Sequence, residues 1–380
     1  KPVLVKVSPN LDVRETVKYA IAGGVAGFTA INTRGPEEFY FEGKQPILSN
    51  KVGGISGRNI LELGLNSVQK IRKMTDLPII ACGGISTREE VERYKKAGAN
   101  FFGIGSALAG MKTEEIKGYF HELATDLEKG TNKAARFLKD KLNMTYLKYQ
   151  IEENEKLAED LFLLKLNGSL RAEPGQFIFS WLPGKGEKPF SVFDDAPLSL
   201  LIQKRGCFTK ELAKLKKGET IYLRGPYGNS PQISGKVLLV GGGSGIAGLY
   251  LFTKKHKKII AILGAKNKKH LPCLEKFRAR TKELYLFTET GDIGNKGLAI
   301  DKLEEIMEKE KPDFCINCGP EIMVKKAVQK QSRYINQENI YSSIEFLTKC
   351  GIGLCGSCAT ATGYRACVDG TFLKRNQIIF

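Results

Sequence analysis

The sequence predicts a multidomain protein that combines α/β and β architectures, and three observations predict this fold class. Residues 1–125 repeat a strand-then-helix rhythm, and residues 142–233 carry short β-type runs separated by turn signals. Residues 234–330 return to strand–helix alternation, and a cysteine-rich segment, 331–380, follows. At 380 residues the chain is long enough for several domains, each with its own core.

The first segment, 1–125, is predicted to form parallel βα units, because amphipathic helices separate its strands. Polar and glycine residues follow each strand, and chemistry in such units collects at the carboxyl ends of the strands. The predicted strands are Val3–Val7, Gly27–Asn32, Pro78–Cys82 and Phe101–Ile104, and the predicted helices are Val13–Ala22, Leu61–Lys73 and Arg88–Ala97.

The remaining segments follow in order. Residues 126–141 are charged and helical in character, which indicates a linker. Residues 142–233 are predicted to form a small antiparallel β-barrel from the runs YLKYQIEEN, LFLLKLN, QFIFSWL, LSLLIQ and TIYLRG. Residues 234–330 are predicted to form a Rossmann-like α/β domain, and residues 331–380 a separate cysteine-containing domain.

The net charge of +18 raises the question of nucleic-acid binding. The lysines are scattered, with short runs such as 254–258, and they do not alternate with aromatic residues as a stacking groove requires. We therefore expect a basic solvated surface and no nucleic-acid partner. No apolar run reaches the roughly 18 residues of a membrane span, and no signal-peptide pattern is present, so we expect no membrane partner and a cytoplasmic location. Because the chain starts with lysine, we also expect natural sequence upstream of Lys1.

Four cysteines have the spacing Cys350-x4-Cys355-x2-Cys358-x8-Cys367. The first three match the C-x4-C-x2-C arrangement of plant-type [2Fe–2S] proteins, and glycines between them let backbone amides approach the sulfurs. A structural zinc site usually uses two short-spaced couples, so the spacing favours a [2Fe–2S] cluster over zinc. The other cysteines outside the nucleotide loops, and the histidines, are interpreted as packing and solvated surface residues respectively: Cys82, Cys207, Cys273, Cys315, His121, His256 and His270.

Two glycine-containing loops indicate a nucleotide site. The strand Val237–Val240 is followed by a glycine-rich turn and a helix, an arrangement in which backbone N–H groups and the helix dipole can meet a pyrophosphate. A glycine turn can also be purely steric. The predicted nucleotide-binding residues are Gly241, Gly242, Gly243 and Gly245, with Cys318, Gly319 and Pro320 in a second loop after the strand Phe314–Asn317.

Several motifs occur in the order typical of one family. They are Lys188–Ser191, Gly206–Thr209, Gly225–Asn229, Gly241–Gly245, Cys318–Pro320 and the cysteine quartet. With them, residues 142–380 resemble the electron-transfer subunit of NAD-dependent dihydroorotate dehydrogenase, within the ferredoxin–NAD(P) reductase superfamily. The resemblance implies NAD at the glycine loops and FAD contacts at Lys188, Pro189, Phe190, Ser191, Leu201, Ile202, Gln203, Phe208 and Thr209. Lys188 replaces the family's arginine, and Phe208 replaces a glycine, so the local FAD geometry is expected to differ.

Residues 1–110 carry the motifs VKVSPN (5–10), AINT (30–33), GGISG (53–57), CGGI (82–85) and IGSA (104–107). They resemble the C-terminal half of the catalytic subunit of dihydroorotate dehydrogenase, an FMN-binding (β/α)8 barrel. The resemblance implies FMN contacts at Lys6, Ile31, Gly57, Gly83, Gly84, Gly105 and Ser106, and pyrimidine contacts at Asn32 and Thr33. The ammonium of Lys6 can stabilise reduced flavin, and the two final glycine loops form the usual phosphate cradle of such barrels. The alternative is that these loops are tight turns only.

The two resemblances together imply oxidation of dihydroorotate to orotate, with electrons passing from FMN through [2Fe–2S] and FAD to NAD. About four βα units are present, so the catalytic base is expected outside this chain. The missing half of the barrel is expected upstream in a fusion, on another chain of a homo- or hetero-oligomer, or lost. The alternatives are an electron-transfer module between NAD(P)H and a partner protein, with a catalytically incomplete barrel, or another pyrimidine substrate. The choice between NAD and NADP stays open.

Overall fold

The computed structural model describes residues 1–42, 45–140 and 142–378. Lys141, which ends the predicted linker, and residues 43, 44, 379 and 380 lie outside the described residues. The chain divides into two compact units. Unit 1 comprises Lys1–Leu142 with Ile352–Leu354, and unit 2 comprises Asn143–Gly351 with Cys355–Phe380.

Unit 1 is built around a parallel four-stranded sheet in the order β1-β2-β7-β8, with helices between its strands, and it also contains two short hairpins, β3–β6 and β4–β5. Its strands are β1 Leu4–Val7, β2 Gly27–Ala30, β3 Arg34–Glu38, β4 Tyr40–Phe41, β5 Gln45–Pro46, β6 Val52–Ile55, β7 Ile79–Cys82 and β8 Phe101–Gly103. Its helices are α1 Val13–Ala22, α2 Leu61–Arg72, α3 Arg88–Lys96 and α4 Thr113–Lys129.

Local sequence signals account for these helices. Asp12 caps α1, since its carboxylate accepts hydrogen bonds from the backbone N–H groups of Arg14 and Glu15 at 2.7 and 3.0 Å. Thr87 and Glu90 form a capping box at the start of α3. Apolar residues at helical spacing then face the sheet, with Val17 and Val68 fully buried. The predicted strands and helices agree with these bounds within one or two residues.

Two parts of unit 1 differ from a simple strand–helix rhythm. The segment from Arg34 to Ile55 forms the two hairpins, which the sequence pattern did not predict. Helix α4 extends to Lys129, and Asp126 at its end is fully buried, accepting hydrogen bonds from the backbone of Lys133 and Ala134. The described part of the predicted linker therefore packs on α4, and its role as a linker stays a prediction.

Unit 2 begins with an antiparallel sheet of seven strands in the order β12-β11-β15-β9-β10-β14-β13. Its core is formed by apolar side chains such as Leu164, Ile178 and Leu200, each fully buried. The strands are β9 Leu147–Lys156, β10 Leu161–Leu166, β11 Phe177–Leu182, β12 Gly186–Ser191, β13 Asp194–Asp195, β14 Leu198–Gln203 and β15 Thr220–Tyr227, and the helix α5 spans Cys207–Leu212. The five predicted β runs all form strands here.

The second sheet of unit 2 has the order β19-β18-β17-β16-β20-β21-β22 and is parallel except for its last pair. The central strands are continuous apolar runs because helices cover both faces of the sheet. The elements are β16 Val237–Gly242, α6 Tyr250–Lys255, β17 Ile259–Ala265, α7 Leu274–Arg278, β18 Glu283–Thr288, β19 Asn295–Lys296, α8 Leu303–Glu310, β20 Phe314–Cys318, α9 Glu321–Gln331, β21 Ile340–Ser343 and β22 Leu373–Lys374.

The last two strands of this sheet come from the segment predicted as a separate C-terminal domain. Strand β21 pairs in parallel with β20, with Cys315 opposite Ile340, and β22 pairs with β21. The cysteine loop is thus inserted between two strands of the nucleotide-type sheet. The predicted domain limits at 233 and 330 stay predictions. No helix among the described residues is long and apolar enough to cross a membrane.

Candidate functional site

Unit 1 has a cavity of about 310 Å³ at the carboxyl ends of its parallel strands. Every residue that the sequence predicts for FMN and for the pyrimidine lines it: Lys6, Ile31, Asn32, Thr33, Gly57, Gly83, Gly84, Gly105 and Ser106. The cavity is also lined by residues that the prediction missed: Ser56, Ile60, Cys82, Ile85, Gly103 and Ile104. Most of these residues are direct neighbours of a predicted residue in the chain, so the same motifs could have been used to predict them.

The glycines of this cavity allow three loops to approach each other closely. A methyl group added at Gly57 would lie 3.5 Å from the hydroxyl of Ser106, and one at Gly84 would lie 2.8 Å from Cβ of Leu61. Tyr94 fixes one of these loops, since its hydroxyl donates a hydrogen bond to the carbonyl of Gly83 at 2.8 Å. These contacts hold the loops at Gly57, Gly83–Gly84 and Gly105–Ser106 against one side of the cavity.

A second set of contacts orders the polar side of the cavity. The amide of Asn10 donates to the carbonyl of Thr33 at 3.1 Å and accepts from the N–H of Gly35 at 2.9 Å, which anchors the chain after β2. Burial raises the pKa of Cys82, and the charge of Lys6 opposes that rise, so Lys6 directs a positive charge into this space.

In unit 2 the glycine loop begins later than the sequence predicts. Gly241 and Gly242 are the last residues of β16, paired with Leu263 and Gly264 of β17, and a 3-10 helix of six residues, Gly243–Gly248, precedes α6. The order of strand, glycine turn and helix is as predicted, but the strand ends two residues later than Val240 because the parallel ladder continues through both glycines. Gly243, with φ +54°, makes the sharp change of direction.

The two predicted nucleotide loops meet at the carboxyl edge of this sheet. Gly241 lies opposite Cys318 in the ladder between β16 and β20. A methyl group at Gly245 would lie 2.5 Å from the carbonyl carbon of Cys318 and 2.6 Å from Cα of Gly319. Only glycine permits this contact between backbones.

A cleft of about 640 Å³ lies along the same edge. Its lining includes the ends of β16, β17 and β18 and the start of α9, with Gly242, Gly243 and Pro320 among the predicted residues. Sequence analysis missed its charged residues, which follow the strands or face them: Glu159, Asp160, Lys204, Lys266, His270, Glu289 and Lys326. A long groove with glycine loops and both signs of charge suits an extended dinucleotide.

His270 is not the solvated surface residue that the sequence analysis expected. Its Nε2 lies 2.9 Å from a carboxylate oxygen of Asp160, whose other oxygen accepts from the amide of Gln203 at 2.8 Å. The hydrogen bond from Gln203 and that with His270 lower the pKa of Asp160. Gln203, predicted for FAD, thereby connects the antiparallel sheet to the cleft.

The other predicted FAD residues lie on β12, on β14 and at the start of α5. The side chains of Ile202 and Phe208 are buried in the core of the antiparallel sheet, whereas the side chain of Leu201 is buried among residues of the parallel sheet. The hydroxyl of Thr209 accepts from the N–H groups of Arg205 and Gly206 at 2.9 and 3.0 Å, so it caps α5.

Ser191 brings the predicted FAD strand close to the predicted NAD loop. A methyl group at Gly248 would lie 3.6 Å from the hydroxyl of Ser191 and 3.4 Å from the sulfur of Cys318. Partial burial raises the pKa of Cys318 to about 12, so this group is a neutral thiol at physiological pH.

Three of the four predicted cluster cysteines lie close together. The sulfurs of Cys358 and Cys367 are 3.4 Å apart and both residues are 2% exposed. The hydrogen bond with Cys367 lowers the pKa of Cys358, whereas hydrogen bonds with Cys350 and Cys358 raise the pKa of Cys367. Cys355 is exposed. The nine cysteines, all within the described ranges, form no disulfide.

The distance between the sulfurs of Cys358 and Cys367 is compatible with two thiolates on one tetrahedral metal ion. Among residues 1–42, 45–140 and 142–378, no three His, Cys, Asp or Glu side chains converge as ligands of one metal ion. A [2Fe–2S] cluster needs two thiolates on each iron. Two thiolates on one tetrahedral ion lie about 3.7 Å apart for bonds of about 2.3 Å. The observed pair at 3.4 Å fits one half of such a cluster.

Of the remaining cysteines, Cys315 is fully buried, as predicted for a packing residue. Cys207 is exposed, so its interpretation as a packing residue is wrong. It lies in the first turn of α5, where the chain turns its side chain to solvent while Phe208 fills the core.

An antiparallel sheet followed by a parallel nucleotide-type sheet with glycine loops defines a ferredoxin-reductase-like FAD/NAD fold. A solved structure with a TM-score of 0.55 shares 33% sequence identity, covering 63% of this chain and 91% of that chain; it is described as an NADH-dependent reduced ferredoxin–NADP oxidoreductase of flavin-based electron bifurcation. The class is thus an oxidoreductase that transfers electrons.

Sequence comparisons give the family. The chain is 38% identical over 232 residues to the probable dihydroorotate dehydrogenase B (NAD(+)), electron transfer subunit of Pyrococcus furiosus, covering 60% of this chain and 90% of the relative. It is 40% identical over 214 residues to the subunit of the same name in Methanocaldococcus jannaschii, covering 55% of this chain and 81% of the relative. The chain belongs to the family of dihydroorotate dehydrogenase B electron transfer subunits. A sequence model of dihydroorotate dehydrogenase matches residues 1–125.

Proposed function

We infer that this chain takes part in the oxidation of dihydroorotate to orotate and combines part of an FMN barrel with an FAD, [2Fe–2S] and NAD module. The observation that carries the proposal is the cavity of unit 1, where nine residues predicted for FMN and a pyrimidine line one space. When bound, FMN, [2Fe–2S] and FAD would supply the redox chemistry that passes electrons from the pyrimidine towards NAD⁺.

In unit 1, the residues of the cavity have separate tasks. The ammonium of Lys6 would stabilise negative charge on a reduced flavin, since its charge acts within this cavity and opposes the rise in the pKa of Cys82. Asn32 and Thr33 offer amide and hydroxyl groups to a planar, hydrogen-bonding ring. The glycine loops at Gly83–Gly84 and Gly105–Ser106 would hold the flavin phosphate.

In unit 2, Lys188–Ser191 and the backbone around Leu201–Gln203 would bind FAD, and the loops at Gly241–Gly245 and Cys318–Pro320 would bind NAD. The proximity of Ser191 and Cys318 to Gly248 supports a common meeting point for the two rings. Cys350, Cys355, Cys358 and Cys367 would hold the cluster, supported by the buried Cys358–Cys367 pair.

The sheet of unit 1 supports the proposal that the barrel is completed elsewhere. Its edge strands β1 and β8 carry apolar side chains to solvent, with Leu4 47% and Phe101 58% exposed. Open edges with apolar residues are a liability unless other strands cover them. We propose that the first half of the barrel, with the catalytic base, covers them in a fused polypeptide or an oligomer.

The test is an anaerobic measurement on the purified protein supplied with FMN. The proposal predicts bound FAD and about two irons per chain, and bleaching of flavin absorbance on addition of dihydroorotate once the complete barrel is present. N32A should abolish the bleaching, whereas N66A, a matched change on α2, should leave it intact. FAD without FMN would show that this chain alone holds no working barrel site. Bleaching that N32A does not affect would contradict the substrate assignment.

The open sheet of unit 1 equally favours a second candidate, an electron-transfer module between NAD(P)H and a partner protein. In that case the barrel segment is catalytically incomplete. NADH would then reduce FAD and the cluster, while dihydroorotate would cause no bleaching even with the complete barrel.

A further inference from the structure

One strongly buried charge in unit 2 has no part in the proposed binding sites. Arg224, on β15, has a side chain that is 3% exposed. Its Nε and Nη2 donate to the two carboxylate oxygens of Glu187 at 2.9 and 2.7 Å. Its Nη1 donates to the hydroxyl of Tyr227 at 3.0 Å and to the backbone carbonyl of Cys350 at 3.1 Å. Burying a guanidinium is costly unless its N–H groups are hydrogen-bonded, and these four hydrogen bonds offset that cost for Arg224.

An aromatic side chain excludes water from one face of the ion pair. The guanidinium carbon lies 3.9 Å from the centre of the Phe179 ring, and Phe179 is opposite Arg224 in the ladder between β11 and β15. Phe179 also belongs to the buried group that contains Cys358 and Cys367. Electrostatic interactions are stronger where aromatic side chains exclude water.

The ion pair also has a direction. Glu187 lies on the Nε and Nη2 side of the guanidinium, whereas the carbonyl of Cys350 lies on the Nη1 side. The positive end of the pair therefore faces the first cysteine of the quartet. Burial alone would lower the pKa of Arg224, but hydrogen bonds and charge from Glu187 raise it, so the guanidinium stays charged.

The pair connects the cysteine loop to the predicted flavin strand. Glu187 directly precedes Lys188 on β12, and the hydroxyl of Tyr146 donates to the same carboxylate at 2.5 Å. On the other side, a methyl group at Gly351, with φ +81°, would lie 2.9 Å from the ring of Phe179, so the loop packs directly on this platform.

We propose that Arg224 is a positioning residue for the cluster: it holds the backbone of Cys350 and, opposed by Glu187, raises the reduction potential of the iron–sulfur centre. This inference rests on the proposed function, since it takes Cys350 as a cluster ligand. Reduction adds one electron to the cluster, so a nearby positive end stabilises the reduced form, and the compensating carboxylate limits the effect.

The test is an EPR-monitored redox titration of the whole chain with its cluster. R224Q removes the positive charge and leaves Glu187, so the reduced-to-oxidised ratio at a fixed solution potential should fall about tenfold, which is 59 mV for one electron. E187Q leaves Arg224 uncompensated, so the ratio should rise. The E187Q/R224Q double variant should return towards the wild-type potential.

A matched control is R333Q, the same substitution in an ion pair with Glu304 where the arginine side chain is 71% exposed. It should change the ratio less than twofold, since exposed pairs are screened. FAD content and thermal unfolding of each variant report on folding separately from the potential.

Shifts of the same sign in R224Q and E187Q, or no shift in either, would overturn the electrostatic role and leave a purely structural one. If R224Q does not retain its cluster, the potentials of R224K and E187Q test the electrostatic role of Arg224. R224K should keep a potential near the wild-type value and E187Q should raise it, and an unchanged or lowered potential in E187Q refutes the proposal. A wild-type chain without iron would refute the proposed function itself, together with this inference.

Discussion

The contact between the two nucleotide loops gives a quantitative prediction for G245A. The added methyl group would lie 2.5 Å from the carbonyl carbon of Cys318 and 2.6 Å from Cα of Gly319, closer than real Cβ contacts. Both neighbours are backbone atoms at the end of a central strand, so a rotamer change cannot relieve the contact. Such overpacking costs about 1–3 kcal/mol.

Two assays measure this cost. Thermal unfolding should show a fall in Tm of about 2–4 °C per kcal/mol for a domain of 150–250 residues, or about 2–12 °C in total. The KM for NADH in flavin reduction should rise about tenfold, because 1.4 kcal/mol corresponds to a factor of ten. Both changes follow from separation of the Gly241–Gly245 and Cys318–Pro320 loops.

G23A is the control, because the methyl group at Gly23 would make ordinary contacts of 3.4 and 3.5 Å at the end of α1. Its Tm should stay the same or rise slightly. A G245A protein with wild-type Tm and wild-type KM for NADH would refute the close approach of the two loops and their assignment to the nucleotide.

Three further changes test other parts of the account. C358S should abolish the iron–sulfur absorbance and at least half of the iron content, whereas C207S, at an exposed cysteine, should leave both unchanged. E289Q should lower the preference for NADH over NADPH about tenfold in kcat/KM, because Glu289 lines the cleft just after β18 and its carboxylate would accept hydrogen bonds from ribose hydroxyls and repel a 2′-phosphate; an unchanged ratio would contradict this role. D194N should lower stability by about 1.5–3 kcal/mol near pH 7 in urea unfolding, since Asp194 is 5% exposed and hydrogen-bonded to two lysines. Burial would raise the pKa of Asp194, but those lysines lower it below its usual value of about 3.9, so the stabilisation is present above about pH 4 and is lost as the pH falls through the lowered pKa. Wild type and D194N should therefore converge below that pH, and a constant difference would contradict the ion pairs.

The strands of both sheets were predictable where apolar residues form runs bounded by turn residues. Strand β14 shows this, because Leu198 and Leu200–Ile202 are buried on both faces and the run is interrupted only by the small residue Ser199. Strand β12 was not predicted as a strand, because its sequence GEKPFS contains glycine and proline and has no alternation. It forms because Phe177–Leu182 offers a complete antiparallel partner. Pairing of this kind depends on the neighbouring strand in the folded sheet, so the local sequence of β12 alone cannot predict it.

The candidate sites show the same limit. Lys6, Gly57 and Ser106 were predicted together because ordered motifs follow consecutive strands, and parallel strands end at one edge. Glu289 and His270 were missed, although Glu289 directly follows a strand of the nucleotide-type sheet and that position was an available signal. Arg224 and Glu187 are 37 residues apart in sequence, so no spacing rule could have paired them.

The most direct test of the account is an anaerobic titration of the purified chain with NADH, followed by optical and EPR spectra. The account predicts that NADH bleaches bound FAD and that the signal of a reduced [2Fe–2S] cluster then develops in the same sample, with about one cluster per chain. A chain that binds FAD but no iron, or whose cluster NADH cannot reduce, would contradict the assignment of this protein as an electron-transfer subunit.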